Sequence, residues 1–494
     1  MSFMTNKPGS YKLNDPFVVA LLIFSAILLG YIIATGGIMS ALVLLSLPPM
    51  LIFFNRFFLF PRVGLITVLI LAFIAIGLTR YIRNIPLGLG IDFFLVITYI
   101  AIFFKFFNEK LDLDSIKPLK NNLVLLSLIW FLYSVGELAN PQAISRTAWF
   151  YAMRGMSLYM LLLIPLVFLV FNRSKDLMLF LYIWGIFSIL SSLKAFQQMN
   201  FGPDSFEQFW LDTGGAVTHL LLGELRAWGF YSDAGQFGAA QAHAGVLGTI
   251  LFIHLKDPKK KIFFLIVALT GYYGMMVSGT RGAIIVPGAG LAFYLIHRKN
   301  LFVIILGSLI LFFFYAFFRY TTIGESNQYV RRMRTAFFPQ DNASLQVRLQ
   351  NRALLSTYLA DKPFGGGIGS AGDWGKRFSP QGFLSQVATD SWYVQIWAEQ
   401  GIVGLILHLA ITFFIVLKGS YILMYRIRDP ELFGILSACI CGIVGIMGAS
   451  YGNGVFGQLP TGIIIYISMA YIFLGPKLDE EFIKIKSLKG KIGI

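Results

Sequence analysis

Hydrophobic positions in this chain neither alternate nor recur on one helical face. They come in near-continuous runs, each about as long as a bilayer is thick, separated by shorter polar stretches. A helix that crosses a membrane needs about 20 mostly apolar residues. Runs of that kind predict about fourteen spans, near residues 17–35, 38–54, 63–79, 89–107, 122–138, 149–171, 177–196, 236–254, 262–278, 282–297, 301–318, 391–417, 431–450 and 455–475. The expected fold is therefore an all-α integral membrane protein. Pro48-Pro49 interrupt the second run and Pro287 falls in the tenth.

The polar stretches orient the spans. Lysine-rich connections at 105–120, 256–261, 297–299, 418–428 and 477–491 all fall on one side, and the positive-inside rule makes that side the cytoplasm. Lys7 and Lys12 put the N-terminus there too, so both termini are expected in the cytoplasm. The first run reads as a retained signal anchor. The chain divides into spans one to eleven (1–318, with an outer loop at 197–235), a large outer loop (319–390), the last three spans (391–476) and a basic tail (477–494). Loops of this length tend to be functional. Both are studded with aromatic and apolar residues, unlike disordered segments, and the larger is expected to be partly helical.

Composition agrees. Residues are 57% hydrophobic and only 13% charged, against roughly a quarter charged in soluble domains. The formal charge of +16 could point to nucleic acid, but cytoplasmic loops of a multi-span protein collect such charge, so no nucleic-acid partner is expected. Cys439 and Cys441 share one apolar run, which excludes a disulfide framework or zinc site. His219, His243, His254, His297 and His408 show no metal-ligand spacing. No metal is expected.

The anomaly is arginine on the outer side. Arg80, Arg83, Arg146, Arg154, Arg226, Arg281, Arg319, Arg331, Arg332, Arg334, Arg348, Arg352 and Arg377 fall there, with few lysines. The guanidinium fork binds phosphate bidentately and stays charged, so an anionic, phosphorylated ligand outside the cytoplasm is implied. Contact with lipid headgroups accounts for Arg80, Arg83, Arg319 and Arg377. It accounts poorly for Arg154, more than a turn inside an apolar span, where a charge is a functional-site hypothesis by default. Arg281 sits in a break between two spans with almost no loop, which must be buried in protein or line a wet cavity. Arg348 and Arg352, four apart on a predicted helix from 344 to 359, lie on one face at about 5–6 Å, a spacing that suits adjacent phosphates. Alone they would read as an exposed basic stripe; with Arg226 and Arg281 on the same side, pyrophosphate is the better reading.

Two carboxylates complete the candidate site. Asp390 stands at the outer mouth of the span from 391, either as general base or hydroxyl-orienting group or as a helix cap. Glu399 lies nine residues deeper, roughly 13 Å along the helix, and needs a partner; Arg154 is the candidate for a structural ion pair. Two look-alikes are set aside. The glycines at 365, 366, 367 and 369 do not form a P-loop, because Ser370 replaces the first glycine and Arg377 follows Lys376. Asp112-Leu113-Asp114, which resembles the acidic pair of many glycosyltransferases, sits between Lys110 and Lys117 in a charged loop and reads as solvated surface.

In order, Leu225-Arg226-Ala227-Trp228-Gly229, Ser278-Gly279-Thr280-Arg281-Gly282, an outer loop with Arg348 and residues 363–369, Asp390-Ser391-Trp392-Tyr393 and Glu399-Gln400-Gly401-Ile402-Val403-Gly404 resemble the O-antigen ligase and polymerase family over roughly residues 220–475. The resemblance implies a bacterial inner-membrane glycosyltransferase with its active site facing outward. It implies an inverting transfer from an undecaprenyl-pyrophosphate-linked oligosaccharide to an acceptor glycan, with no cofactor. Arg226 and Arg281 match its motif positions and, with Asp390, would be catalytic; Arg154, Arg348, Arg352 and Glu399 would bind pyrophosphate or glycan. A chain-length regulator protein is a further candidate partner. Family members that ligate glycan to lipid A core or protein usually have His at the position of Asp390, so polymerase is preferred to ligase. A lipid-linked glycan transporter is the second alternative, but it should show paired halves, and none are evident. A cytoplasmic-facing transferase using Asp112 and Asp114 is a third.

Overall fold

The computed structural model describes residues 16–82, 86–108, 113–221, 223–298, 300–338 and 343–492. Lys7, Lys12, Arg83, Asp112 and Lys299 lie outside them. The described residues form an all-α bundle with one two-residue hairpin, Leu220–Leu221 paired antiparallel with Glu224–Leu225. Among the described residues, eleven helices are long and apolar enough to cross a membrane. Three shorter apolar helices, Ile23–Gly37, Arg62–Leu78 and Arg281–His297, stand at three further predicted spans, so length and composition support eleven crossings and not the full fourteen. The first two predicted runs form one helical stretch, Pro16–Leu59, broken at Gly37, whose φ of 65° lies in the left-handed region.

Burial sorts the helices into a centre and a rim. The windows within Ala234–His254, Pro430–Ala449 and Thr461–Leu488 are 78%, 78% and 83% buried, against 6% for Leu42–Leu59 and Leu301–Tyr320. Small residues permit the close central packing. A Cβ on Gly248 would come 2.6 Å from the Phe264 carbonyl, and one on Gly271 would come 2.7 Å from that of Gln241. The rim helices present Leu, Ile and Phe outward, as lipid contact requires.

The expectation of a partly helical outer loop holds. Gln328–Arg334, Ala343–Tyr358, Gly372–Phe378 and Phe383–Gln386 are its helices. The long helix Trp392–Arg426 that follows is broken at Gly401, with φ 67° and ψ −171°. A Cβ at Gly401 would lie 1.9 Å from the Pro363 carbonyl oxygen, and one at Gly365 would lie 2.4 Å from Gly401 N. The glycine-rich turn thus docks backbone to backbone on the break, through Gly366 N to Ala398 O at 2.9 Å and Gly367 N to Glu399 O at 2.8 Å. The span carrying Arg154 also departs from regularity: residues Arg154–Leu158 form a π-turn between Arg146–Met153 and Tyr159–Val170, a distortion common at functional sites.

Candidate functional site

The break after Pro258–Val277 is where the arginines gather. Gly279 takes φ 56°, and the Ser278 hydroxyl accepts from Thr280 N at 3.1 Å, so the chain turns without a helical ladder. Arg226 spans this turn: Nε donates to Ser278 O at 3.1 Å, Nη1 to Thr218 O at 3.0 Å and Nη2 to Thr280 Oγ1 at 2.9 Å. Arg332, from the outer-loop helix Gln328–Arg334, donates Nε to Gly279 O at 2.6 Å. Its side chain lies flat on Gly279, where a Cβ would come within 3.0 Å of it. Arg281 reaches Thr335 Oγ1 at 3.5 Å.

Among the described residues, none of Arg226, Arg281 and Arg332 forms an ion pair with a carboxylate. Burial first, and then the neighbouring Arg332 and Arg281 charges, pull the Arg226 guanidinium down to about 10, with Asp233 opposing. Burial and Arg281 likewise lower Arg332. Both stay charged at neutral pH. Three partly desolvated cations, none in an ion pair with a carboxylate and only partly offset by Asp233 and Glu224, leave N–H groups that could hold an anion.

A second half adjoins it. Helix Ala343–Tyr358 lies across the mouth of Trp392–Arg426. Arg348 Nε meets Asp390 Oδ2 at 3.2 Å, and Arg352 Nη1 meets the Tyr451 hydroxyl at 2.6 Å while its guanidinium lies 4.5 Å from that ring. Arg348, Asn351, Arg352 and Asp390 line a shallow depression. Arg281 and Arg348 are close enough to repel one another, which joins the two halves. The capping alternative for Asp390 is not what the helix uses. Ser391 is the N-cap, accepting from Val394 N and donating to Ser450 O at 3.1 Å, and Asp390 remains half exposed.

The remaining sequence candidates are placed elsewhere. Arg154 pairs with Asp92 at 2.6 Å and donates to Gly88 O and the Tyr159 hydroxyl, both at 3.2 Å. Its partner is therefore not Glu399, because Asp92 from the helix Gly88–Asn108 reaches it first. Glu399 is fully buried and accepts from Ala371 N at 3.3 Å; it fastens the glycine turn and the start of Gly372–Phe378. Arg80 is no headgroup contact. It is buried, donates to Tyr231 O at 2.5 Å and Ser232 O at 3.0 Å, and lies 4.6 Å over the Trp210 ring. Gln198 Oε1 accepts from Trp228 N and Gly229 N at 3.2 and 3.1 Å, and Lys194 bridges Asp204 and Glu207 at 2.8 and 3.1 Å. This network holds the loop that delivers Arg226. Among the described residues, no three His, Cys, Asp or Glu side chains are grouped to share a metal ion.

Sequence reasoning did not single out Arg332. Three arginines at 331, 332 and 334 look alike in sequence; only the fold turns one of them onto Gly279.

Residues 263–409 match the family model described as O-antigen ligase. Over 198 residues the chain is 29% identical to an O-antigen polymerase of Salmonella muenchen, covering 38% of this chain and 45% of that relative. These matches support the O-antigen ligase and polymerase family. The stretch matching the O-antigen ligase model contains Arg281, Arg332, Arg348, Arg352, Asp390 and Glu399 and leaves Arg154 and Arg226 outside. The aligned part of the polymerase is less than half that protein's length.

Proposed function

We propose that this chain is a membrane glycosyltransferase that polymerises a repeat-unit glycan, taking it from an undecaprenyl-pyrophosphate donor on the outer face of the inner membrane. The observation that carries the reading is the cluster of Arg226, Arg281 and Arg332, none of them in an ion pair among the described residues, beside the Arg348–Asp390 pair. An acceptor hydroxyl attacks the anomeric carbon, the carbon–oxygen bond to the pyrophosphate breaks, and the negative charge that develops on the leaving group falls among fixed guanidinium groups. Asp390 takes the hydroxyl proton, with Arg348 setting its orientation. The outer loop 319–390 caps the site in this reading, and Arg352 and Arg154 bind outlying parts of the substrate. The likeness to an O-antigen polymerase and Asp390 in place of His favour polymerase; the family model's own description favours a ligase.

The test uses purified protein in lipid with an undecaprenyl-pyrophosphate-linked repeat unit and no added nucleotide. A ladder of lengthening glycan, abolished by Arg281→Ala, is expected. Transfer only when lipid A core is supplied makes the protein a ligase, and movement of the lipid with no new glycosidic bond makes it a transporter.

A further inference from the structure

Apart from the cluster of Arg226, Arg281 and Arg332, the loop over 319–390 builds an aromatic surface, with Arg154 5.9 Å from the Tyr151 ring and Arg377 5.3 Å from the Phe378 ring, that the proposed chemistry leaves unused. Tyr151, on the helix Arg146–Met153, stacks on Trp374 with centroids 4.9 Å apart and planes 17° apart, and on Phe378 at 5.5 Å and 10°. Trp374 and Phe378 lie 6.2 Å apart at 17°, so three rings from two elements share nearly one orientation. All three are partly exposed, and Asp373, Lys376 and Arg377 around them are exposed.

The fold fixes this surface firmly. Gly369, with φ 82°, sits so close to helix Arg146–Met153 that a Cβ would come 2.5 Å from the Ala148 carbonyl. At Gly375 a Cβ would come 2.3 Å from Ser370 O. Ala371 N is held by the buried Glu399 carboxylate. A seven-residue helix has little stability of its own, so this anchoring is what keeps Trp374 and Phe378 on Tyr151. Side chains that only marked the bilayer interface would need no common orientation: interfacial Trp and Tyr act singly, each placing an amphipathic ring at headgroup level.

We propose that Tyr151, Trp374 and Phe378 form a binding platform for a pyranose residue of the glycan, a proposal that rests on the transferase reading above. The C–H face of a pyranose is weakly positive and apolar, and it complements the negative face of an aromatic ring. The charged rim of Asp373, Lys376 and Arg377 supplies hydrogen-bonding partners for ring hydroxyls. Placement agrees: Glu399, which anchors the platform, lies seven residues, about 10 Å, along the helix from Trp392, and Asp390, which meets Arg348, precedes that helix by two residues. The platform therefore holds sugar removed from the reacting carbon, as a growing chain requires.

Saturation-transfer NMR and titration on the purified full chain test this, with a lipid-free repeat-unit oligosaccharide released from the host's own polysaccharide as probe. Wild type should transfer saturation to the sugar C–H protons. Trp374→Ala should weaken binding about tenfold, as loss of an aromatic stacking partner does, and Trp374→Phe should retain it. Should Trp374→Ala not fold, Phe378→Leu, which keeps apolar bulk but removes a ring face, is read in the same way. Wild-type affinity in a folded Trp374→Ala or Phe378→Leu chain, or no saturation transfer in wild type, overturns the platform and leaves an interfacial anchor. The assay involves no turnover, so oligosaccharide binding without glycan transfer would count against the transferase reading alone.

Discussion

Arg348 Nε stands 3.2 Å from Asp390 Oδ2, the two residues reaching the outer mouth from different arms of the chain. The next residue, Ser391, performs the capping that Asp390 could have performed. The two neighbours should therefore separate cleanly by experiment. Ser391→Ala should lower stability by about 1 kcal/mol, the usual cost of a lost cap, read as a lower unfolding temperature in detergent. Asp390→Asn should leave that temperature in place and lower kcat for glycan transfer, by roughly 10²-fold or more if the carboxylate moves a proton. Loss of stability in Asp390→Asn with unchanged kcat would make this carboxylate structural.

A second prediction concerns Arg154 and Asp92, 2.6 Å apart with side chains 10% and 23% exposed. Removing one partner strands the other charge, a loss of about 3–5 kcal/mol for a buried pair. Arg154→Ala should give little folded protein by fluorescence-detected size exclusion. Adding Asp92→Asn should restore a good part of the yield, because no bare charge then remains. Equal yields from the single and double variants would show that the pair does not act as a unit.

The third prediction is a pH dependence of the outer loop around Arg226. His219 lies between Trp210 and Trp228, at 4.8 and 5.0 Å between ring centroids, and its Nε2 accepts from Ala234 N. Burial, and next to it the Arg226 and Arg80 charges, hold the imidazole down at about 4, against about 6.5 when unfolded. The unfolded state thus binds the proton first as pH falls. Stability should be full above about pH 6.5, decline below it, and have lost this contribution entirely once pH passes the folded value. His219→Gln should flatten that decline relative to wild type, measured as unfolding temperature between pH 7 and pH 4. An unchanged slope would assign the acid sensitivity to other groups.

The bundle was legible because a membrane span announces itself by length and apolarity alone. Outer-loop helices were legible from a different signal, the aromatic and apolar content that disorder lacks. Residue pairing was not. Glu399 and Arg154 looked like partners because each needed one, yet Asp92 is closer to Arg154, and Glu399 Oε1 instead takes the Ala371 backbone N–H, which no residue type reveals. Arg80 looked like a lipid contact for the same reason: its acceptors are the carbonyls of Tyr231 and Ser232, supplied by the path of the chain. At Asp390-Ser391 two good capping residues stand side by side, and what selects Ser391 is the Ser450 carbonyl, 59 residues away in sequence.

The break at Gly401 has a mechanical consequence. Bilayers differ in thickness, and helices accommodate the difference by tilting or shifting along the normal. Residues 392–400 are tied to the turn over 363–367 and to Ser450, and Val403 N also reaches Pro363 O at 3.2 Å, while beyond the break Ile406, Phe413 and Leu417 face outward. The stretch next to Asp390 is thus fixed to protein, through the turn and Ser450, and the geometry at Arg348 should survive transfer between thin and thick membranes.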